Sequence, residues 1–161
     1  MEKLDTKSFN EFFDLYNKTN RNSENTVSPI RDMNYANWRV LNSPNKDKYF
    51  IYKTEKFSAL VSLQDNHGNY IDILLVSDIN EKIEIIKMIS RLGVYGLRNG
   101  LSYIRFYTSK KELSDYIRNK TKSIVRHPRF VFYSQDEYIF NKLKIAYWNF
   151  ELIDSDFEII K

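Results

Sequence analysis

The chain of 161 residues contains no cysteine. That removes disulfides, thiolate metal ligands and cysteine nucleophiles together, and it fits a reducing, cytoplasmic setting. No apolar run approaches the roughly 18 residues of a membrane span. The opening segment MEKLDTKSFNEFF lacks the apolar core of a secretory signal. The expectation is therefore a cytoplasmic protein with no membrane partner. His67 sits beside Gly68 in a turn and His127 in a basic stretch, neither with metal-ligand company, so no metal is expected. There is no P-loop, no G-x-S-x-G and no H-E-x-x-H. Internal repeats and low-complexity segments are lacking too. The net charge of +4 is mild; it permits anionic ligands without marking a nucleic-acid binder.

What is present is apolar and aromatic. Hydrophobic residues make up 42% and aromatic residues 16% of the chain, which places it among globular rather than disordered sequences. The length suits one domain over 1–161, with a helix and loop in 1–30 and the core in 31–161. In DTKSFNEFFDLYN (5–17), Phe9, Phe12, Phe13 and Tyr16 recur at helical spacing. A polar, turn-rich stretch follows, and NYANWRVLNSP predicts a helical turn that stops near Pro44. KYFIYK (48–53), FSALVSL (57–63) and YIDILLV (70–76) read as three strands joined by hairpin-length loops, the last apolar enough to be central.

Residues 77–100 then predict a helix with an apolar stripe of Ile79, Ile83, Ile86 and Ile89. Asp78 and Glu81 have capping-box spacing at its start, and Gly100 fits its stop. LSYIRFYT is a strand. Ser109 and Glu112 form a second capping-box pattern before a helix carrying Leu113, Tyr116 and Ile117. RFVFYS and KIAYWNF are the last two strands. A helix between strands 70–76 and 102–108 implies a crossover and parallel pairing, whereas the three earlier strands form an antiparallel meander. The fold class is α/β: a mixed sheet with helices on both faces.

Three stretches carry a family resemblance: R-D-x-x-Y-x-x-W-R within 31–39, the strand YIDILLV with its acid at Asp72, and the ending YWNFELIDSDFEII with Trp148 before Asp154 and Asp156. With the element order, they resemble the GNAT acyltransferase superfamily over nearly the whole chain. The likeness is to the C-terminal GNAT-like domain of bacterial proteins associated with surface-polysaccharide genes. Such relatives usually carry another GNAT-type domain ahead of this region, so a partner GNAT domain is one expected partner and a second copy of the chain another.

The resemblance implies an acyl-CoA cofactor, acetyl-CoA or another, lying between the splayed parallel strands. Ile73, Leu75, Val76 and Ser77 would border it, and Lys82 would face its pyrophosphate. That family uses a glycine-rich turn there; this chain has VSDINEK, without glycine and with two acids. Asp72 would be the base, or an acid at the cleft lip that is solvated or paired with a lysine. Tyr116 would protonate the leaving thiolate, or pack in the core with Leu113 and the stem of Lys120. Trp38 and Arg39 would line an acceptor pocket, or Trp38 would plug a sheet edge while Arg39 pairs with an acid.

Asp154, Asp156 and Glu158 alternate along one face of an extended ending. They read as a solvated edge that resists pairing, or as a turn meeting Arg31, Arg39 or an amino-sugar nitrogen. A D-x-D metal site is disfavoured by the expected fold. The first functional expectation is an acyl-CoA-dependent N-acyltransferase acting on an amine such as an amino sugar of surface polysaccharide. The second is a non-catalytic GNAT-like domain that supports a partner or recognises an acceptor. A third, nucleic-acid binding through the basic run 118–129, predicts affinity that falls steeply with salt.

Overall fold

A computed structural model describes residues 1–19, 32–64 and 69–123, with the backbone of 26–27 and 147–148. Its elements run β1 (Glu2–Lys3), α1 (Thr6–Thr19), β2 (Thr26–Val27), α2 (Met33–Ala36), β3 (Tyr49–Lys53), β4 (Ser58–Gln64), β5 (Tyr70–Val76), α3 (Lys82–Arg98), β6 (Tyr103–Phe106), α4 (Lys111–Lys120) and β7 (Tyr147–Trp148). A π-helical turn over Asn37–Leu41 continues α2, and a short 3-10 turn covers Lys46–Lys48. Of the expected last strands, only β7 falls within the described residues, where it pairs in parallel with β2. The expected turn at 65–68, with His67, lies outside them, as does the basic run beyond residue 123.

Five strands form one mixed sheet in the order β1-β3-β4-β5-β6. β3, β4 and β5 are an antiparallel meander, and β5 and β6 are parallel. Both relations follow from the connections: two hairpins join the first three strands, and a 17-residue helix joins the last pair. Every residue of β5 is buried, because helices cover both of its faces.

The two covering layers are distinct. On one face, Phe9, Phe12, Phe13 and Tyr16 of α1 pack with Val40, Tyr49, Ile51, Leu60 and Leu74. On the other, Ile85, Met88 and Leu92 of α3 and Leu113 and Ile117 of α4 pack with Val61, Ile71 and Ile73. The aromatic stripe of α1 follows the helical period, and its rings stack, Phe9 on Phe13 at 5.7 Å and Phe13 on Tyr16 at 5.9 Å.

Helix starts depart from the expected capping boxes. α3 begins at Lys82, and Glu81 makes no side-chain cap. Asp78 instead accepts from the Asn80 N–H at 2.8 Å, closing a tight turn ahead of the helix. α4 begins at Lys111, and its N-cap residue Lys110 makes no side-chain cap; the Thr108 hydroxyl takes the Lys110 N–H at 3.1 Å. Two caps form where they were not expected, the first of them reciprocal. The Asp5 carboxylate accepts the Ser8 N–H at 2.7 Å, and the Ser8 hydroxyl accepts the Asp5 N–H at 3.1 Å. Asp32 accepts the Tyr35 N–H at 2.8 Å and so opens α2. The end of α3 is as expected: Gly100 has φ +70°, and the Leu101 N–H reaches back to the Gly96 carbonyl at 2.8 Å.

Candidate functional site

β5 carries a bulge. Leu60 pairs with Leu75 and Val61 with Ile73, so Leu74 faces no residue of β4. The extra residue breaks the alternation, and Leu74 and Leu75 both join the α1 layer. On the other side of β5, pairing with β6 runs from Tyr70–Tyr103 to Ile73–Phe106, while β5 continues to Val76. The parallel pair thus ends at the level of the bulge. Beyond it lie the carboxyl ends of β5 and β6 and the starts of α3 and α4, the place where open α/β sheets form clefts.

Just before that point, Asp72 and Arg105 face each other across β5 and β6. Arg105 grips Asp72 with two hydrogen bonds, Nε to Oδ1 at 2.6 Å and Nη2 to Oδ2 at 2.7 Å. Nη2 also donates to the Tyr70 hydroxyl at 3.1 Å, and the guanidinium carbon lies 4.2 Å from the Tyr70 ring centre. Tyr103 stacks on Tyr70 at 4.9 Å. Asp72 is 0% exposed, so it is neither solvated nor paired with a lysine. Burial pushes its carboxyl above the ordinary value, and Arg105 pulls it back. The hydrogen bond from Arg105 to that carboxylate holds the guanidinium above its usual value, against the effect of burial.

Of the residues expected along the cofactor, all but Lys82 are in the buried strand or at its end. Ile73, Leu75 and Val76 are core residues. The Ser77 hydroxyl accepts the Ser58 N–H at 2.9 Å, and the Ser77 carbonyl accepts the Thr19 hydroxyl, so this serine ties β4 and α1 together. Lys82 opens α3 and bonds Glu112 in the first turn of α4 at 3.3 Å. Lys110 reaches Asn80 at 3.4 Å. The two helix starts are therefore adjacent, bridged by polar side chains.

Other expected residues are more scattered. Tyr116 is half-buried on α4, whose Leu113 and Ile117 pack in the α3 layer. Asp72 lies on the opposite face of the sheet, so the fold does not bring these two side chains together. Trp38 is 65% exposed and plugs no sheet edge. It touches Tyr35 at 6.1 Å between ring centres and Arg39 at 6.0 Å. Arg39 is buried. Asp154 and Asp156 lie outside the described residues.

Arg105 is the site residue that sequence reading missed. A signal for it exists: in LSYIRFYT, Tyr103, Arg105 and Tyr107 alternate onto one face. Parallel pairing with YIDILLV sets that cation opposite Asp72 once the register is known. Among the described residues no helix is long and apolar enough to cross a membrane, and no cluster of metal-ligating side chains occurs. Compared with known proteins, the chain matches no family model, no curated protein and no solved structure.

Proposed function

We propose that this chain is a GNAT-like N-acyltransferase domain that moves an acyl group from acyl-CoA to an amine, an amino sugar among the candidates. The observation that carries the reading is the bulge at Leu74 together with the end of β5–β6 pairing at Ile73–Phe106. A bulge bends its strand and increases the twist, the geometry by which the two parallel neighbours would part at their carboxyl ends. On this reading the arm of the cofactor would run along the backbone of Leu75 and Val76, whose side chains belong to the core. Its phosphates fit less well: Lys82 and Lys110 supply cations at the helix starts, but Asp78, Glu81 and Glu84 flank the same turn. Since Glu81 makes no side-chain cap, no capping side chain competes for the first-turn N–H groups.

When bound, acyl-CoA supplies an activated acyl carbon. The protein's residues must orient the amine, take its proton and return one to the thiolate. Asp72 is committed to Arg105, so its part is to fix that arginine rather than to accept the proton. Tyr116, half-buried on α4, is the candidate acid. The test is calorimetric titration of the whole chain with acetyl-CoA at moderate salt. Saturable heat in the micromolar range supports the reading; no heat and no thermal shift overturn it.

A second reading has its own support. The buried Asp72–Arg105 pair and the acids around the start of α3 favour a non-catalytic GNAT-like domain that recognises a partner or an acceptor. Release of free thiol from acetyl-CoA in the presence of amine acceptors would exclude it.

A further inference from the structure

One face of β5 and β6 carries chemistry that thioester cleavage does not need. A guanidinium has five N–H donors. In Arg105, Nε and Nη2 are spent on Asp72 and Tyr70, and none of these bonds uses Nη1. The side chain remains 30% exposed. Two residues earlier on the same face, Tyr103 rests on Tyr70 and is 49% exposed. Residues two apart on a strand are separated by about 6.5–7 Å, close to the span of one sugar ring.

We propose that Tyr103 and Arg105 form a saccharide-binding subsite on the α1 face of β6. Arg105 is already matched by a buried carboxylate, so the pair has no net charge and Asp72 disfavours a second anion. What remains suits a neutral ligand, with donors for hydroxyl oxygens beside an aromatic surface for the C–H face of a ring. Asp72 and Tyr70 fix the guanidinium before any ligand arrives, which lowers the ordering cost of binding. The assignment of the bound sugar as the acyl acceptor rests on the acyltransferase reading; the subsite itself does not.

The experiment is saturation-transfer NMR on the whole chain with D-glucosamine and methyl β-D-glucopyranoside, with inorganic phosphate and adenosine as comparison ligands. The wild type is expected to transfer saturation to the sugar ring protons. Tyr103→Ala should weaken binding about tenfold, while Tyr103→Phe keeps the ring and most of the affinity. Arg105→Lys keeps a cation for Asp72, loses the fork and should also weaken binding. Titration with acetyl-CoA should be unchanged in the Tyr103 variants. Absence of transfer to both sugars, equal affinity in Tyr103→Ala, or Tyr103-dependent binding of phosphate or adenosine in preference to sugar would overturn the subsite. Sugar binding without acetyl-CoA binding would leave it standing and remove the acyltransferase reading. Acetyl-CoA binding without sugar binding would do the reverse.

Discussion

At the residue scale, the Asp72–Arg105 pair shows how one charge depends on another. Asp72 has no exposed surface and two hydrogen bonds from a single partner. Arg105→Ala leaves that carboxylate buried and unmatched, and it should cost about 3–5 kcal/mol in urea unfolding. Asp5 behaves differently, being fully exposed. The Ser8 N–H and hydroxyl hold its carboxyl below the ordinary 3.8. A lowered acid contributes stability that is present above the unfolded value and is lost as pH falls through the folded one. The stability gap between wild type and Asp5→Ala should therefore be present at neutral pH and narrow below 3.8, as measured by urea unfolding across that range. Asp5 and Ser8 stand at capping-box spacing in the sequence, whereas the burial of Asp72 could be inferred only from the strand around it.

At the element scale, α3 offers a paired test on two glycines. Gly100 has φ +70° and stops the helix. A side chain there meets no atom within 4 Å, so the penalty of Gly100→Ala is purely conformational, about 1–2 kcal/mol. Gly93 lies inside the same helix, and a methyl group there would also enter open space. Gly93→Ala should stabilise by roughly 0.5–1 kcal/mol. Thermal melts of the two variants should move in opposite directions. The start of α3 was less legible than its end. Asp78 and Glu81 have the spacing of a cap, yet Asp78 prefers the nearer Asn80 N–H. An aspartate can close its own turn as readily as it can cap a helix, and sequence spacing does not separate the two outcomes.

At the scale of the whole molecule, the sheet keeps two apolar layers apart. Ile51 belongs to the layer under α1 and Ile85 to the layer under α3. Ile51→Val and Ile85→Val should each cost about 1 kcal/mol. Because the residues share no cluster, the double variant should lose the sum to within about 0.5 kcal/mol in urea unfolding. A clear excess would mean that the sheet transmits strain between its faces.

The sequence by itself determined the order of the elements from β3 to α4, the antiparallel meander, the parallel crossover pair and the aromatic stripe of α1, but not the short strands β1 and β2. These follow from local periodicity and from the lengths of connections, which act between near neighbours in the chain. Tertiary structure decided the bulge at Leu74, the partner of Asp72 and the separation of Asp72 from Tyr116. YIDILLV is apolar at nearly every position, so its pattern looks the same with or without a one-residue shift in pairing. Only contact with β4 and β6 fixes where the shift falls. Arg105 lies 33 residues from Asp72, and no local rule joins them until the crossover sets the register.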